Sequence, residues 1–579
     1  MTVITELDKL THALMHKSQK LLEKPGLNSQ AITTLLENIY QLAYDYTSLQ
    51  TQLLSQPETL FARQCAYWHA ATQLTLSYFM PGFTDKFNDK RFLAESWQNN
   101  VFFNALSQHY LLARQHTTAL LQALEFTDLN EAKRLTFFAE QYLDALSPNN
   151  YLLSNPELLS ETLQTGGLNL LKGLNQFLDD FDMQTMQLTI SMSQHEAFKV
   201  GKQVAITPGE VIFQNDFMEL IQYHPTTQHT LATPLLMIPP WINKYYILDL
   251  SAHNSMVRWL VDKGITVFMI SWVNPDASFA NKGFEDYLNE GPLAAIKVIK
   301  KQLNVRQVNT LGFCLGGTLL SCVLAYQHAQ KKREIKSATF LASLIDFSEP
   351  GDLGIYIDEA QVKKLEEKMH AKGFLDGRLM ASTFNSLRAN DLIWSFFINN
   401  YLKGQKPAPF DILSWNADAT NMPAAMHSQY LRWMYLQNDL IKPNKIVLNE
   451  VPLNIRAITT PSFFISTEKD HIAPWQTTYI GFQHFKGAKR FVLGGSGHIA
   501  GIINPPSDNK YHYYVNEAVN ESAEVWRANA HKKAGSWWPA WFEWLTTHSG
   551  KKVSARPLAS LPYQSITAAP GRYVQQKNS

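Results

Sequence analysis

The stretch Leu311-Gly-Phe-Cys-Leu-Gly-Gly-Thr318 decides the fold that we predict for this chain. It overlaps a candidate strand at residues 308–313 and leads into an apolar run at residues 318–326, typical of a helix. Glycines two positions before and two after Cys314 relieve the crowding of a sharp strand-to-helix turn, and a helix N-terminus favours a thiolate. The pattern predicts a reactive nucleophile at Cys314. The alternative is a buried cysteine beside glycines that only pack helix on strand.

Short apolar segments on both sides of this turn predict a sheet. They alternate with helical patterns, which indicates an α/β fold with a mostly parallel sheet. The predicted strands of the parallel part are residues 234–238, 266–272, 308–313, 337–345, 462–467 and 491–493. Further strands, joined by turns, are predicted at residues 204–206, 211–213 and 218–223.

Two side chains follow late strands in the order that a nucleophile turn of the α/β-hydrolase fold requires. That order is nucleophile, acid, base, with each group at the end of a strand. Asp470 follows residues 462–467 and supplies the acid, and His498 follows residues 491–493 and supplies the base. By themselves, Asp470 would be a turn residue or helix cap and His498 a loop histidine. Together with Cys314 they predict a catalytic triad, and we expect His471 to play a supporting hydrogen-bond role.

An oxyanion hole needs two backbone donors. The first is expected from Leu315, which follows the nucleophile, and the second from the loop Pro239-Pro-Trp-Ile-Asn243, through Trp241 or Ile242. The alternative for this loop is that its two prolines only stiffen a turn.

The chain of 579 residues is too long for one ordinary core, so two domains are expected. Residues 1–190 show helical patterns, including a cap at Asn155 before Pro156 and one apolar stripe that we expect to be buried. That stripe comprises Leu170, Leu171, Leu174, Phe177, Leu178 and Phe181. Residues 191–579 form the predicted α/β-hydrolase domain. Its aromatic-rich insertion at residues 347–460 is predicted to be a cap that covers Cys314, and the polar residues after Lys551 are expected to be loosely held.

Composition excludes several classes of function. The net charge of +1 gives no basic field for a nucleic-acid partner. Cys65, Cys314 and Cys322 are too few for a disulfide framework and lack metal-ligand spacing, so we expect a reducing compartment and no metal or cofactor. Cys65 and Cys322 are predicted to be packed. The first twenty residues lack the pattern of a signal peptide, and no apolar run could span a bilayer, so we expect a cytoplasmic protein.

With the triad in place, the chain resembles the polyhydroxyalkanoate synthases, specifically the class with one long subunit type that acts on short-chain substrates. The resemblance covers nearly the whole length and rests on five motifs. These are Gly312 to Gly317, Pro239-Pro-Trp-Ile-Asn-Lys-Tyr-Tyr-Ile-Leu-Asp249, Ser271-Trp-Val-Asn-Pro-Asp276, Asp470-His-Ile-Ala-Pro-Trp475 and Gly497-His-Ile-Ala-Gly-Ile-Ile-Asn-Pro-Pro506. By these motifs Cys314 is the family's nucleophile, Asp470 its acid and His498 its base. Trp475 matches a position linked to dimer contacts, and Trp241 departs from the family's smaller residue.

The resemblance implies a polymerase of (R)-3-hydroxyacyl-CoA, with 3-hydroxybutyryl-CoA as the expected substrate and coenzyme A released as a polyester grows. It also implies a homodimer, and a helical N-terminal domain that takes part in dimerisation and in contact with the polyester granule. Asn243, His471 and Arg388 are candidate substrate-binding residues, Arg388 for a coenzyme A phosphate. The alternative for Arg388 is a surface pair with a local carboxylate. Two other functions stay open: a thiol hydrolase of the same fold, and a granule-coating protein with a relic triad.

Overall fold

The computed structural model describes residues 9–17, 29–80, 87–558 and 561–577. Most of the first twenty residues, on which the signal-peptide prediction rests, lie outside these ranges. The chain divides into two compact units. The first, called here the helical unit, comprises Met1–Gln194 and Asn385–Ala408; the second, called the sheet unit, comprises His195–Phe384 and Pro409–Ser579.

The helical unit is built from helices and one short hairpin. Its regular helices are α1 (residues 9–17), α2 (Ser29–Ser55), α3 (Pro57–Ser77), α4 (Glu95–Gln98), α5 (Val101–Ala123), α6 (Leu129–Ala145), α7 (Pro156–Gln164) and α8 (Leu168–Asp180). Wider turns follow at Asn390–Trp394 and Phe397–Leu402. The predicted start of α7 is confirmed, because the Asn155 side chain accepts hydrogen bonds from the amides of Glu157 and Leu158.

The buried stripe predicted on α8 is wrong. Leu174 is 47% exposed, and the buried residues of this helix are Asn169 and Gly173. A side chain at Gly173 would overlap the carbonyl of Tyr401, and the Asn169 amide donates to the carbonyl of Leu402 at 2.8 Å. Because the backbones of α8 and residues 397–402 approach so closely, only small or hydrogen-bonding side chains fit between them.

The sheet unit is organised around an eleven-stranded sheet. Its strands are β1 (Gly209–Gln214), β2 (Met218–Tyr223), β3 (Leu235–Ile238), β4 (Val267–Trp272), β5 (Val308–Phe313), β6 (Ile335–Leu341), β7 (Ser462–Thr467), β8 (Lys489–Gly494), β9 (His512–Val515), β10 (His531–Ala534) and β11 (Thr567–Ala568). Their order is β10-β9-β8-β7-β6-β5-β3-β4-β2-β1-β11. The strands β3 to β8 pair in parallel, and the outer strands pair antiparallel.

All six predicted parallel strands are therefore present, and the α/β-hydrolase fold is confirmed. The strand predicted at residues 204–206 is not formed, since Val204 makes only an isolated bridge with Val200. Three short pairs lie outside the main sheet. They join His229–Leu231 with Lys552–Ser554, Phe374–Leu375 with Met422–Pro423, and Val447–Leu448 with Val451–Pro452.

Helices of the sheet unit pack against both faces of the sheet, and two buried apolar clusters fill these interfaces. The helices are α9 (Met256–Asp262), α10 (Phe284–Leu288), α11 (Ala294–Leu303), α12 (Leu315–Ala329), α13 (Glu359–Lys372), α14 (Gly377–Ser386), α15 (Asp411–Asn416), α16 (Ala424–Tyr430), α17 (Trp475–Gln483), α18 (Ala523–Ala528) and α19 (Trp538–Thr547). Twelve of the fifteen residues of α12 are buried, so this helix is enclosed along nearly its whole length. Among the described residues, no helix is both long and apolar enough to cross a membrane.

Two expectations about the sheet unit change. The described residues after Lys551 are not loosely held: Lys552–Ser554 forms a strand pair, β11 extends the main sheet beside β1, and Val574 is buried. These polar residues are held through their backbone, which hydropathy does not reveal. The cap predicted at residues 347–460 is not one compact unit, because Asn385–Ala408 belongs to the helical unit. Its covering role stays a prediction.

Candidate active site

Cys314 lies between the end of β5 and the first residue of α12, in a strained conformation. Its φ of 51° and ψ of −123° are unfavourable for a residue with a side chain. The turn is held because the Cys314 amide donates to the carbonyl of Leu341 at 2.9 Å, and its carbonyl accepts from the amides of Gly317 and Thr318. Cys314 remains half-buried, so its thiol is neither sealed in the core nor on the open surface.

The glycines around Cys314 are required by close packing. A side chain at Gly312 would come within 2.5 Å of the Gly317 Cα atom. One at Gly316 would overlap the carbonyl of Ile238, and one at Gly317 would overlap the Ser343 side chain. The start of α12 therefore presses directly on the ends of β3 and β5, which is the reason for the glycine frame seen in the sequence.

Asp470 and His498 come together at the neighbouring strand ends. The Asp470 Oδ2 atom lies 2.7 Å from His498 Nδ1, so Nδ1–H donates to the carboxylate. The other oxygen, Oδ1, accepts from the amides of Ile472 at 3.0 Å and Ala473 at 2.8 Å. The Asp470 side chain is completely buried. Both carboxylate oxygens are thus occupied, and the imidazole is held in one orientation.

The pKa of His498 is raised well above its ordinary value. Burial is the largest single influence and by itself would lower this pKa. The negative charges of Asp470 and Cys314 and the hydrogen bonds with both raise the pKa, and together they outweigh burial. The Phe313 ring also stacks on the imidazole with 5.7 Å between centroids. The His498 imidazole therefore takes up a proton more readily than an ordinary histidine.

The loops that carry Asp470 and His498 are tied to each other. The amide of Glu468 donates to the Gly494 carbonyl at 2.8 Å, and that of Lys469 donates to the Ser496 carbonyl at 2.9 Å. The Glu468 carboxylate lies 2.8 Å from His512 Nε2. This contact of His512 was not predicted from the sequence. The only signal for it was that Glu468 stands two residues before the predicted acid, Asp470.

The predicted oxyanion donors lie in ordered backbone. Leu315 is the first residue of α12, and the amides in the first turn of a helix have no acceptor within that helix. In the loop Pro239–Asn243, the Thr420 hydroxyl donates to the Trp241 carbonyl and the Thr420 amide donates to the Ile242 carbonyl at 2.9 Å. Leu315 and Ile242 are both buried.

Two tyrosines near the nucleophile, Tyr430 and Tyr435, were not predicted as residues of the site. The pKa values of Tyr430 and Tyr435 are both raised, first by burial and in part by the charge of Cys314. Their rings lie 5.5 Å apart, and Phe347 packs edge-on against Tyr435 at 5.1 Å. An aromatic group from the predicted cap region therefore lies near the thiol.

The three candidate substrate-binding residues have different hydrogen-bond and ion-pair partners. The Asn243 amide donates to the carbonyl of Asn416 at 3.4 Å, and the His471 carbonyl accepts from the amide of Asp352. Arg388 belongs to the helical unit and pairs with Asp391, the local pairing that was its alternative. None of these contacts tests substrate binding.

Three further sequence positions can be located. Trp475 is the first residue of α17 and is half-buried. Cys322 is buried as predicted, and burial raises its pKa to about 12. The packed environment predicted for Cys65 is wrong, because Cys65 is exposed on α3, a helix on which only Ala71 and Leu74 are buried.

Comparisons with known proteins agree with this geometry. The family described as "Poly-beta-hydroxybutyrate polymerase (PhaC) N-terminus" matches residues 88–260, and the family described as "alpha/beta hydrolase fold" matches residues 233–505. The chain is 42% identical to a poly(3-hydroxyalkanoate) polymerase of Methylorubrum extorquens, over 96% of this chain and 92% of that protein. It is 43% identical to a poly(3-hydroxyalkanoate) polymerase subunit of Rhizobium meliloti, over 84% of this chain and 80% of the relative.

A third relative is a poly(3-hydroxyalkanoate) polymerase subunit of Cupriavidus necator, with 40% identity over 85% of this chain and 84% of the relative. Identity at this level across most of both chains exceeds what a shared fold alone produces. The family resemblance found in the sequence motifs is therefore confirmed: this chain belongs to the poly(3-hydroxyalkanoate) polymerases, which are acyltransferases built on the α/β-hydrolase fold.

Proposed function

We propose that this enzyme polymerises short-chain (R)-3-hydroxyacyl-CoA, with 3-hydroxybutyryl-CoA as the expected substrate, through a thioester on Cys314. The observation that carries the proposal is the strained turn at Cys314 beside the Asp470–His498 pair, within a chain whose relatives are polymerases. The short-chain preference rests on the resemblance to the single-subunit class.

Loading begins when the His498 imidazole, whose pKa is raised, takes the proton of the Cys314 thiol. The sulfur attacks the thioester carbonyl of the substrate, and the tetrahedral oxyanion is stabilised by the amides of Leu315 and Ile242. The bond from carbon to the coenzyme A sulfur then breaks, and the departing thiolate takes the proton from His498. The exchange of one thioester for another is close to isoenergetic, so the acyl group is not trapped.

Elongation transfers this acyl group to a hydroxyl. The 3-hydroxyl of the next monomer loses its proton and attacks the thioester on Cys314, an ester bond forms, and the Cys314 thiolate leaves. The proton acceptor is His498 or Asp470. The structure favours His498, because one Asp470 oxygen is bonded to the imidazole and the other accepts two amides. On this reading Asp470 orients His498 and stabilises the imidazolium.

We further propose that the helical unit contacts the polyester granule and takes part in a homodimer. Support comes from large apolar side chains exposed on α2 and α3, among them Tyr40, Phe61 and Trp68 at 72%, 72% and 64% exposure. Apolar groups exposed in this number are typical of interaction surfaces. Cytoplasmic localisation and a partner contact at Trp475 remain part of the same proposal.

The test is incubation with (R)-3-hydroxybutyryl-CoA, with thiol release and insoluble polyester followed together. The expected result is release of one coenzyme A for each monomer that enters polymer. Release of coenzyme A with only free 3-hydroxybutyrate would show a thiol hydrolase instead, and no release at all would leave a granule-coating protein. A parallel run with a medium-chain 3-hydroxyacyl-CoA tests the chain-length preference.

A further inference from the structure

The segment of residues 571–577, called here the tail segment, is fastened to the sheet unit by a buried carboxylate. Glu219 on β2 is fully buried, and its Oε2 atom accepts from the amides of Arg572 at 2.9 Å and Tyr573 at 3.0 Å. Val574 packs into the core. A buried carboxylate needs such donors, so this part of the tail segment has a defined position.

A second buried charged residue, Lys244, also bonds to the tail segment. Its side chain has 3% exposure, and Nζ donates to the main-chain carbonyl of Gln576 at 2.6 Å. Burial lowers the pKa of Lys244 to about 8, against the opposing charge of Asp418. The same Gln576 accepts, through its side-chain oxygen, the amide of Asn274. A lysine removed from water in this way depends on its acceptor.

Lys244 directly follows the loop Pro239–Asn243, from which the second oxyanion donor is expected. Thr420 and Trp415 hold this region from another side: Thr420 binds the carbonyls of the loop, and Trp415 Nε1 donates to the Lys244 carbonyl at 2.7 Å. The loop is therefore suspended between residues 415–420 and the tail segment.

Buried residues surround this loop, and two of their polar groups have no partner in the described part of the chain. Trp241, Lys244, Ser271 and Val574 lie together at this place. Among the described residues, Trp241 Nε1 and Ser271 Oγ are buried without a hydrogen-bond partner. Since neither group adds a hydrogen bond, the polar contacts that position the loop are those from Thr420, together with the bond of Lys244 to the tail segment.

We propose that Lys244 is a positioning residue whose hydrogen bond to the Gln576 carbonyl holds the Ile242 amide where it stabilises the oxyanion. The inference rests on the proposed acyl-transfer function. It gives the tail segment an indirect part in catalysis, through the loop that carries the second oxyanion donor. Misplacing one donor by about 1 Å typically lowers turnover by roughly 100-fold.

The main experiment compares Lys244→Met, which keeps the apolar stem, with the exposed control Lys577→Ala from the same segment. We expect Lys244→Met to lower kcat for coenzyme A release by about 10- to 100-fold with little change in KM. Alkylation of Cys314 by iodoacetamide, mapped by mass spectrometry because Cys65 is exposed, should be unchanged, since this displacement at a saturated carbon forms no oxyanion. Lys577→Ala should match the wild type in both assays.

A second variant removes the acceptor and leaves Lys244 in place. A chain shortened after Gln575 keeps the Glu219 contacts and the buried Val574, and it should show the same loss of kcat. Lys244→Met in that chain should add no further loss, because the hydrogen bond of Lys244 is already gone. Unchanged kcat in Lys244→Met, or an equal loss of Cys314 alkylation, would overturn the proposal. Thiol release and polymer are measured separately. If the wild type yields free acid, polymerisation is contradicted, but the Lys244 variants can still be compared. If the wild type releases no coenzyme A, the proposed function and the role of Lys244 are both contradicted.

Discussion

Cys314 directly precedes helix α12 and Cys65 lies on helix α3, and a comparison of these two helices shows how the two units differ. Twelve residues of α12 are buried between the sheet and its covering helices, and Cys314 stands at its start in a conformation that packing enforces. In α3 only Ala71 and Leu74 are buried, and Phe61 and Trp68 are exposed. Apolar sequence alone does not make a core. The parallel strands beneath α12 complete its burial and hold the turn that carries Cys314.

The largest test of this comparison replaces each cysteine. Cys314→Ala should lower coenzyme A release and polymer formation by at least about 10,000-fold, because no acyl acceptor remains. Cys65→Ala should retain the wild-type rate, since Cys65 lies exposed on α3. Thiol release and polymer mass measure both. Substantial polymer from Cys314→Ala would contradict the thioester mechanism.

The next test concerns the buried acid. Asp470→Asn should slow loading and elongation alike, by about 100- to 10,000-fold, because it disturbs the orientation of His498. It should also lower the pKa of His498, since the Asp470 charge helps to raise it, and an NMR titration of the imidazole would show the midpoint at lower pH. The exposed neighbour Lys469→Gln is the control. A variant that loads normally but stalls as a short acyl-enzyme would instead make Asp470 the elongation base.

A third test addresses packing within the helical unit. Gly173→Ala should lower the free energy of unfolding by about 3 kcal/mol, because the added carbon would overlap the Tyr401 carbonyl. Leu174→Ala, one position further on, should change it by less than about 0.5 kcal/mol since Leu174 is largely exposed. Denaturant unfolding compares the two. The reverse ranking would restore the apolar stripe as the buried face.

The smallest expected effect depends on pH. Burial alone would raise the pKa of Asp346, but hydrogen bonds from His484, Ser348 and Asn438 lower it to about 2, from an ordinary 3.8. A depressed pKa stabilises the fold above the ordinary value, and this contribution is lost as pH falls from about 4 to about 2. Asp346→Asn should therefore cost about 2 kcal/mol at pH 7 and roughly half of that at pH 3.

The measurement is urea unfolding from pH 7 to pH 3, with the exposed Asp216→Asn as the control. A destabilisation by Asp346→Asn that does not change with pH would show that shape, and not charge, makes Asp346 important.

Much of the catalytic architecture could be predicted because it depends on local patterns. The strands β3 to β8 alternate with helical segments, and the glycine frame around Cys314 fits a sharp strand-to-helix turn. Asp470 and His498 could be assigned because parallel strands bring their carboxyl ends to one edge of a sheet. The apolar stripe on α8 and the packing of Cys65 could not be predicted, since helical periodicity does not say which face a partner will cover.

By itself, the sequence determined the α/β-hydrolase fold, the family and the candidate triad, because strand periodicity, glycine spacing and motif order are properties of short segments. Only the tertiary structure decided which groups surround them: Tyr430 and Tyr435 near Cys314, His512 on Glu468, and Gln576 as the acceptor of Lys244. Lys244 and Gln576 are separated by 332 positions along the chain. Such contacts depend on how distant parts of the backbone pack together, which no local pattern encodes.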